Sequence, residues 1–185
     1  MSTIARLTGA DFDSMVERGA FDRIGPMKIE FIHGELRFMN PAGPIHDDYI
    51  RYLTDWSYEN TNRQFCSIQV QCGFMCDDNR PEPDLAWLRP GRYGRKRPTA
   101  SDVMLLIEVA DSPLSTDLLE KMDLYAAGGI AEYWIVDITN QRIHVMSKVN
   151  DGRYQSIEIH VPPNTLSPQS RREAILNLAD LFAVF

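Results

Sequence analysis

The sequence has few cysteines and no cysteine motif. Its three cysteines, Cys66, Cys72 and Cys76, are an odd number with no Cys-x-x-Cys spacing and no nearby histidine. Neither a disulfide framework nor a structural zinc site is therefore expected. Free thiols are typical of a reducing compartment, so this usage favours a cytoplasmic protein.

Long hydrophobic stretches are also absent. No unbroken apolar run exceeds five residues, as in Val103–Ile107, whereas a membrane-spanning helix needs about 20. The N-terminal residues lack the apolar segment of a secretory signal, and the chain contains no repeat or long Gly/Ser linker. With 185 residues, of which 44% are hydrophobic, the sequence predicts a single domain over residues 1–185 with no membrane association.

Sequence motifs of several common enzyme classes are missing too. The chain has no phosphate-binding Gly-x-x-x-x-Gly-Lys loop, no Gly-x-Gly-x-x-Gly turn and no Gly-x-Ser-x-Gly elbow. Ser112, which precedes Pro113, is interpreted as a loop residue. Nucleotide-binding folds and hydrolases with a serine or cysteine nucleophile are therefore disfavoured.

Basic residues are outnumbered by acidic ones. Nineteen basic and 26 acidic side chains give a formal net charge of −7. This balance argues against a protein that coats nucleic acid or an anionic membrane through its bulk charge. It leaves open a local basic patch.

The hydrophobic pattern alternates between helical and strand periods. Helices are predicted after a Thr8/Asp11 capping box, after Pro44, over 117–127 with Asp117 and Glu120 in capping-box relation, and over 171–182; strands are predicted over 28–39 (a hairpin turning near His33-Gly34), 66–72, 84–88, 103–110, 132–137, 142–147 and 154–160. The alternation over 66–72 indicates that its cysteines act as small hydrophobes. The nearly continuous apolar run over 103–110 predicts a central strand, and the helix and strand that follow predict a crossover. The fold class is therefore α/β (α+β).

Glu108 interrupts the apolar run of the predicted central strand. An unpaired buried carboxylate costs several kcal/mol or becomes neutral, so a positive group should lie beside it. One candidate is a divalent metal shared with Asp84, which opens the preceding strand after Pro83. The alternative is that Glu108 lies at an exposed strand end and pairs with an arginine.

Lys121 lies at the edge of the apolar stripe of the helix predicted over 117–127. The stripe is formed by Leu118, Met122 and Tyr125. Lys121 could therefore point inward toward the strand ends, although a lysine in such a place is often a surface residue whose stem packs on apolar neighbours. Two carboxylates and a lysine would equip a cation site for phosphodiester hydrolysis.

The ordered motifs from residue 83 to residue 137 resemble those of the Uma2 family, also called DUF820. They are Pro83-Asp84, Ile107-Glu108-Val109, Asp117-Leu-Leu-Glu-Lys121, Tyr125, Gly129-Ile130 and Glu132-Tyr-Trp-Ile-Val-Asp137. That family belongs to the PD-(D/E)XK nuclease superfamily. The resemblance implies a restriction-endonuclease-like core, in which helices flank a mixed central β-sheet.

The resemblance also implies roles for individual residues. Asp84 and Glu108 match the two acidic metal ligands of the superfamily, and the backbone carbonyl of Val109 completes the protein ligands of Mg²⁺ or Mn²⁺. Ala110 stands where simpler members of the superfamily carry a lysine on the strand. Lys121 matches the helix lysine of Uma2-like chains and looks like a migrated replacement, which would position the nucleophile or stabilise the transition state.

Three further polar residues match the family more weakly. Glu30, Glu35 and His46 fall where Uma2-like chains often carry an acidic hairpin and a helix histidine. They could assist with a second metal or with the leaving group. The alternative is a solvated hairpin and an imidazole on a helix surface.

A basic loop follows the Asp84 strand directly. It runs from 89 to 97 without an acidic residue, and its candidate DNA contacts are Arg89, Arg92, Tyr93, Arg95, Lys96 and Arg97. Its basic groups could bind phosphates, and its tyrosine could stack on a base. A flexible solvated loop is the alternative, but the expected proximity to the metal site favours contact with DNA.

These features predict a metal-dependent DNA endonuclease. The competing interpretation is a catalytically inactive nucleic-acid-binding or interaction module that keeps the nuclease fold, because the strand lysine is missing. A homodimer would supply two sites for the two strands of a duplex.

Overall fold

The computed structural model describes residues 6–24, 28–39, 43–110 and 116–183, with side chains from residue 118 in the last range. Its central element is a six-stranded sheet in the order β3-β4-β5-β6-β7-β8. The strands are β3 (Ser67–Val70), β4 (Leu85–Leu88), β5 (Val103–Ala110), β6 (Glu132–Asp137), β7 (Arg142–Asn150) and β8 (Arg153–His160). Only β5 and β6 pair in parallel within this sheet, so it is mixed, as the sequence predicts.

Helices cover the two faces of the sheet. They are α2 (Pro44–Asn60) and α3 (Thr116–Ala127), whereas α1 (Gly9–Glu17) packs through Phe12 against Phe31 outside this sheet. On β5, Leu105 and Ile107 pack into the apolar cluster that contains Leu53 and Trp56 of α2. Leu106, with Tyr125 of α3, belongs to the cluster on the opposite face. Because strand side chains alternate between faces, Glu108 shares the face of Leu106 and lies toward α3.

A hairpin packs beside the segment that leads into β4. Its strands β1 (Lys28–Ile32) and β2 (Glu35–Met39) pair in antiparallel fashion. The turn is His33-Gly34, whose φ values of 51° and 83° are both positive, as in a type I′ turn. Phe31 exchanges two backbone hydrogen bonds with Arg80, which fixes the hairpin against the rest of the chain.

Two predicted helix starts have different outcomes. Thr8 and Asp11 form the expected capping box of α1. By contrast, α3 begins at Thr116, so Asp117 lies inside the helix instead of preceding it. Its expected capping partner Glu120 accepts two hydrogen bonds from Arg37 of β2. The side chain of Asp117 lies outside the described residues, so this capping box stays a prediction.

The last helix predicted over 171–182 was also wrong. The segment contains a short strand, β10 (Leu176–Asn177), paired with β9 (Thr165–Leu166), and only a four-residue helix, α4 (Leu178–Leu181). The buried residues Ala174, Leu176 and Leu178 alternate with exposed ones. This spacing has the strand period of two, which the sequence interpretation took for a helical stripe.

The strand predicted over 66–72 is shorter than expected. β3 ends at Val70, and of its flanking cysteines Cys66 is buried whereas Cys72 is exposed. Cys66 therefore packs as a small hydrophobe and Cys72 does not. Among the described residues no helix is long and apolar enough to cross a membrane.

Candidate active site

Polar side chains from five elements converge where β5 ends. Three of them are buried carboxylates, Glu30 of β1, Asp84 just before β4 and Glu108 of β5, which we call the carboxylate cluster. Buried polar groups usually have hydrogen-bond or ion-pair partners, because desolvation is costly. The partners here are basic and come from the hairpin, α2 and α3.

The register of the sheet brings Asp84 and Glu108 together. Leu85 pairs with Ile107 in the antiparallel ladder between β4 and β5, so Asp84 falls opposite Glu108, one position further out. Side chains of opposed residues in such a ladder share a face. The backbone N–H of Val109 donates to Asp84 Oδ2 at 2.9 Å. Two residues distant in the chain thus become neighbours, and Glu108 is not at the exposed strand end considered as an alternative.

Asp84 is the most heavily neutralised carboxylate of the cluster. Lys28 Nζ lies 3.3 Å from Oδ1, and His46 Nε2 lies 3.4 Å from Oδ2. Burial alone would raise the pKa of Asp84, but the hydrogen bond with His46 and the charge of Lys28 outweigh it and hold the pKa well below its ordinary value. Asp84 is therefore ionised at neutral pH.

Glu108 occupies a less favourable environment for a charge. It accepts hydrogen bonds from Lys121 Nζ and from the Tyr125 hydroxyl, each at 3.2 Å. Burial nevertheless raises the pKa of Glu108 to about 7, against the opposing effect of Lys121 and Lys28. The carboxylate therefore depends on nearby positive charge to remain ionised.

Lys121 lies between two carboxylates of the cluster. Its Nζ is 3.0 Å from Glu30 Oε1 and 3.2 Å from Glu108 Oε1, and its side chain is only 2% exposed. Glu30 Oε1 also accepts the backbone N–H of Glu82 at 2.8 Å. Lys121 and Tyr125 stand four residues apart on α3, so both point toward Glu108. The lysine thus points inward and is not a surface residue.

His46 lies inside the site and not on a helix surface. Its Nε2 lies 3.1 Å from the carbonyl oxygen of Val109 and 3.4 Å from Asp84 Oδ2. The hydrogen bond with Asp84 is the main cause that raises the pKa of His46, against the effect of burial. Because Pro44 starts α2, His46 is in the first turn of that helix, directly beside the end of β5.

Lys28 is the site residue that the sequence analysis missed. Its ammonium contacts Asp84, and the charges of Glu108 and Asp84 raise the pKa of Lys28, against the effect of burial. Lys28 and Glu30 are two positions apart on β1, so they share a face of the hairpin. The alternation of side chains along β1 indicates that Lys28 shares a face with Glu30. It does not show which face of the hairpin meets the carboxylate cluster.

Glu35 does not join the cluster. Its side chain is 72% exposed, and its ion pair is with Arg37 of the same strand. Asp137 is buried but anchors a turn, because it accepts hydrogen bonds from Asn140 and Arg142.

The basic loop begins at the other end of β4 from Asp84, and its last residue, Arg97, lines a pocket together with Ile29 and Glu82 near the hairpin. Arg89 follows β4, and its N–H donates to Asp102 just before β5 begins. Arg89 is five positions after Asp84, which is about 16 Å along an extended strand. Arg97, at the far end of the loop, is bound to Asp13 of α1 at 3.0 Å. Asp84 and the first residue of the basic loop are therefore separated by the length of β4.

The residues fit a hard divalent cation by their donor chemistry. Within the described ranges no three His, Cys, Asp or Glu side chains are grouped as a metal cage. The carboxylates of Asp84 and Glu108, with the Val109 carbonyl beside Asp84, are nevertheless the oxygen donors that such cations prefer. Glu30 Oε2 is buried and has no hydrogen-bond partner among the described residues, which leaves a further oxygen for a ligand or for a water molecule bound to it.

Comparison with known proteins places this site in a family. The fold is similar to that of "a putative nuclease belonging to DUF820" from Anabaena variabilis, with a TM-score of 0.71, 17% sequence identity, and coverage of 84% of this chain and 89% of that one. No curated protein matches the sequence. The profile of the Uma2 family, described as "Putative restriction endonuclease", matches residues 20–179. The chain therefore belongs to the Uma2 family, as its motifs indicate.

Proposed function

We propose that this protein is a metal-dependent endonuclease that hydrolyses phosphodiester bonds of DNA. The observation that carries the proposal is the juxtaposition of the buried Asp84 and Glu108 at the same end of neighbouring strands, each with a lysine ammonium within 3.3 Å. The family description supports a nuclease. Buried carboxylates that serve only stability would cost more than apolar residues of similar size, so a functional reason for them is favoured.

The proposed cofactor is Mg²⁺ or Mn²⁺, which Asp84, Glu108 and the backbone carbonyl of Val109 would hold. When bound, such an ion lowers the pKa of a water molecule and offsets negative charge on a phosphate. The chain's own groups prepare this place. Lys121 and Tyr125 hold Glu108 by hydrogen bonds, and His46 holds the Val109 carbonyl and Asp84 in a fixed relation.

The proposed DNA contacts lie along the edge of the molecule that contains the basic loop. Arg92, Arg95 and Lys96 are exposed, and within the described part of the chain they form no side-chain hydrogen bond or ion pair. Arg92 also lines a groove with Tyr58 and Arg63 at the end of α2. These groups would bind phosphates of the duplex through their positive charge.

Incubation of the purified protein with supercoiled, linear and branched DNA tests the proposal. Each DNA is combined with Mn²⁺, Mg²⁺ or EDTA, beside the variants Asp84→Ala, Glu108→Ala and Lys121→Ala. Cleavage by the wild type that requires the metal and disappears in the variants is the expected result. Equal cutting by wild type and variants would identify a contaminant and reject the site.

The second candidate function is a nucleic-acid-binding module without activity. Ala110, in place of a strand lysine, is the observation that favours it. Calorimetric titration with Mn²⁺ separates the two candidates, since the enzyme binds the ion and Asp84→Ala does not. A protein that binds DNA but no divalent ion would be the inactive module.

A further inference from the structure

Two lysines approach the carboxylate cluster, and they lie at different depths. The side chain of Lys121 is 2% exposed and that of Lys28 is 17% exposed. The side chains of Glu30, Asp84 and Glu108 are each at most 5% exposed. Among these residues Lys28 therefore lies nearest to solvent, on the side from which a large substrate can approach.

The contacts of Lys121 commit it to the protein. Its ammonium is within 3.2 Å of both Glu30 and Glu108. If it turned toward a phosphate, it would leave two buried carboxylates without their counter-ion, which is strongly unfavourable. Lys121 is therefore suited to neutralise the cluster from inside, and poorly suited to touch DNA.

The contacts of Lys28 leave it available. Its single described ion pair is to Asp84 Oδ1 at 3.3 Å. Asp84 keeps two other partners, the N–H of Val109 and His46. Lys28 can therefore leave Asp84 without leaving that carboxylate unpaired. A flexible ammonium with three donors can then bind a non-bridging phosphate oxygen as a point charge.

We propose that Lys28 is the lysine that contacts the phosphate diester of the substrate, and that Lys121 is a structural counter-ion of Glu30 and Glu108. The inference rests on the proposed function and names the group that would recognise the phosphate. The positive charge that a strand lysine would supply at position 110 then comes from Lys28 of the hairpin, on the more exposed side of the carboxylate cluster. No proton is transferred in this role, since Lys28 acts through its charge and its N–H donors.

Thermal unfolding separates the two lysines without any substrate. Lys121→Met should lower the Tm by about 10 °C, because it leaves buried carboxylates unpaired. Lys28→Met should change the Tm by less than about a third of that, because Asp84 keeps its other partners. The exposed Lys148→Met is the matched control. Equal, large losses for Lys28→Met and Lys121→Met would overturn the inference.

Binding and cleavage complete the test. The affinity for a labelled 20-base-pair duplex is measured by fluorescence anisotropy with Ca²⁺, and plasmid nicking is measured with Mn²⁺. Lys28→Met should weaken duplex binding about tenfold and slow nicking about a hundredfold, which corresponds to a lost charged contact. Its affinity for Mn²⁺ in calorimetry should be undiminished, because a competing cation at Asp84 is gone. Lys28→Arg should restore part of the nicking.

Failure of this inference differs from failure of the proposed function. A wild type that nicks DNA together with a Lys28→Met that nicks equally well overturns the role of Lys28 alone. A wild type that binds the duplex but never cuts it overturns the nuclease. In that case the affinity for the duplex still tests the role of Lys28. Equal binding by wild type and Lys28→Met overturns the phosphate contact.

Discussion

At the scale of single residues, the sequence identified the acids of the site better than their partners. Glu108 was recognisable because a carboxylate within an apolar strand needs a positive neighbour. Lys121 was recognisable from its place beside the apolar stripe of α3. Lys28 lies in a hairpin of mixed character, and its contact with Asp84 depends on how β1 packs. That packing is a tertiary fact which no local pattern records.

The Asp137 turn gives a prediction with a defined pH dependence. Burial opposes ionisation of Asp137, but hydrogen bonds from Asn140 and Arg142 lower its pKa below the ordinary value of 3.8. A lowered pKa in the folded state means that the carboxylate stabilises the fold fully above about pH 4. The contribution is lost as the pH falls through the folded-state pKa.

Asp137→Asn should therefore lower the free energy of unfolding by about 2 kcal/mol at pH 7, the usual value of hydrogen bonds to a charged group. Urea denaturation at pH 7 and at pH 3 measures the difference. The difference in free energy of unfolding between wild type and variant should be smaller at pH 3 than at pH 7. A gap that stays constant or widens in acid would show that the charge of Asp137 does not stabilise the turn.

At the scale of elements, periodicity predicted the strands that matter for the site. The apolar run of β5, the crossover through α3 and the strand β6 are confirmed, and they fix where Glu108 and Lys121 meet. The helix predicted over 171–182 was wrong because the spacing of the buried side chains changes within a few residues. Ala174, Leu176 and Leu178 follow a strand period, and the last turn then follows a helical one.

The hairpin gives an element-scale prediction because it positions Lys28 and Glu30. Gly34 in its turn has φ = 83°, a conformation that costs a residue with a side chain about 1–2 kcal/mol. Gly34→Ala should lower the free energy of unfolding by that amount and also reduce nuclease activity. Gly91→Ala is the control for stability, since its added Cβ meets no atom within 4 Å.

Chemical denaturation measures this effect on Gly34 directly. If Gly34→Ala and Gly91→Ala were equally stable, the positive φ of the turn would not be needed to hold the hairpin. If Gly34→Ala were destabilised but cut DNA at the wild-type rate, the hairpin would not position the site.

At the scale of the whole molecule, the net charge of −7 is an average over two different regions. Buried acids are concentrated at the end of β5, and basic groups are concentrated in the loop at the other end of β4. Sequence reasoning put these regions side by side because they follow each other along the chain. In the structure β4 separates Asp84 from Arg89, where the loop begins, whereas Arg97 at the end of the loop lines a pocket with Glu82.

The basic loop gives a whole-molecule prediction about salt. Replacing Arg92, Arg95 and Lys96 with glutamine should weaken binding to DNA and lower the slope of log affinity against log salt by about 3, one for each phosphate contact. The Tm should be unchanged, because these side chains have no partner within the described residues. Anisotropy titrations between about 50 and 200 mM salt measure the slope, because phosphate contacts strongly affect the affinity for DNA over this range.

A matched removal of charge away from the loop supplies the control. Lys148→Gln and Arg153→Gln remove positive charge from the β7–β8 hairpin. If this pair of substitutions lowered the slope as much per charge as the loop variant, the loop would have no special role in binding DNA.

The most direct test of the central claim, that the paired Asp84 and Glu108 form a metal-dependent nuclease site, is the rate of plasmid nicking by wild type and Asp84→Asn in Mn²⁺. Both proteins are purified identically and compared at equal folded concentration. The wild type should convert supercoiled plasmid to the nicked form, and Asp84→Asn should be at least about a hundredfold slower. Nicking at the same rate by both proteins, or by neither, would contradict it.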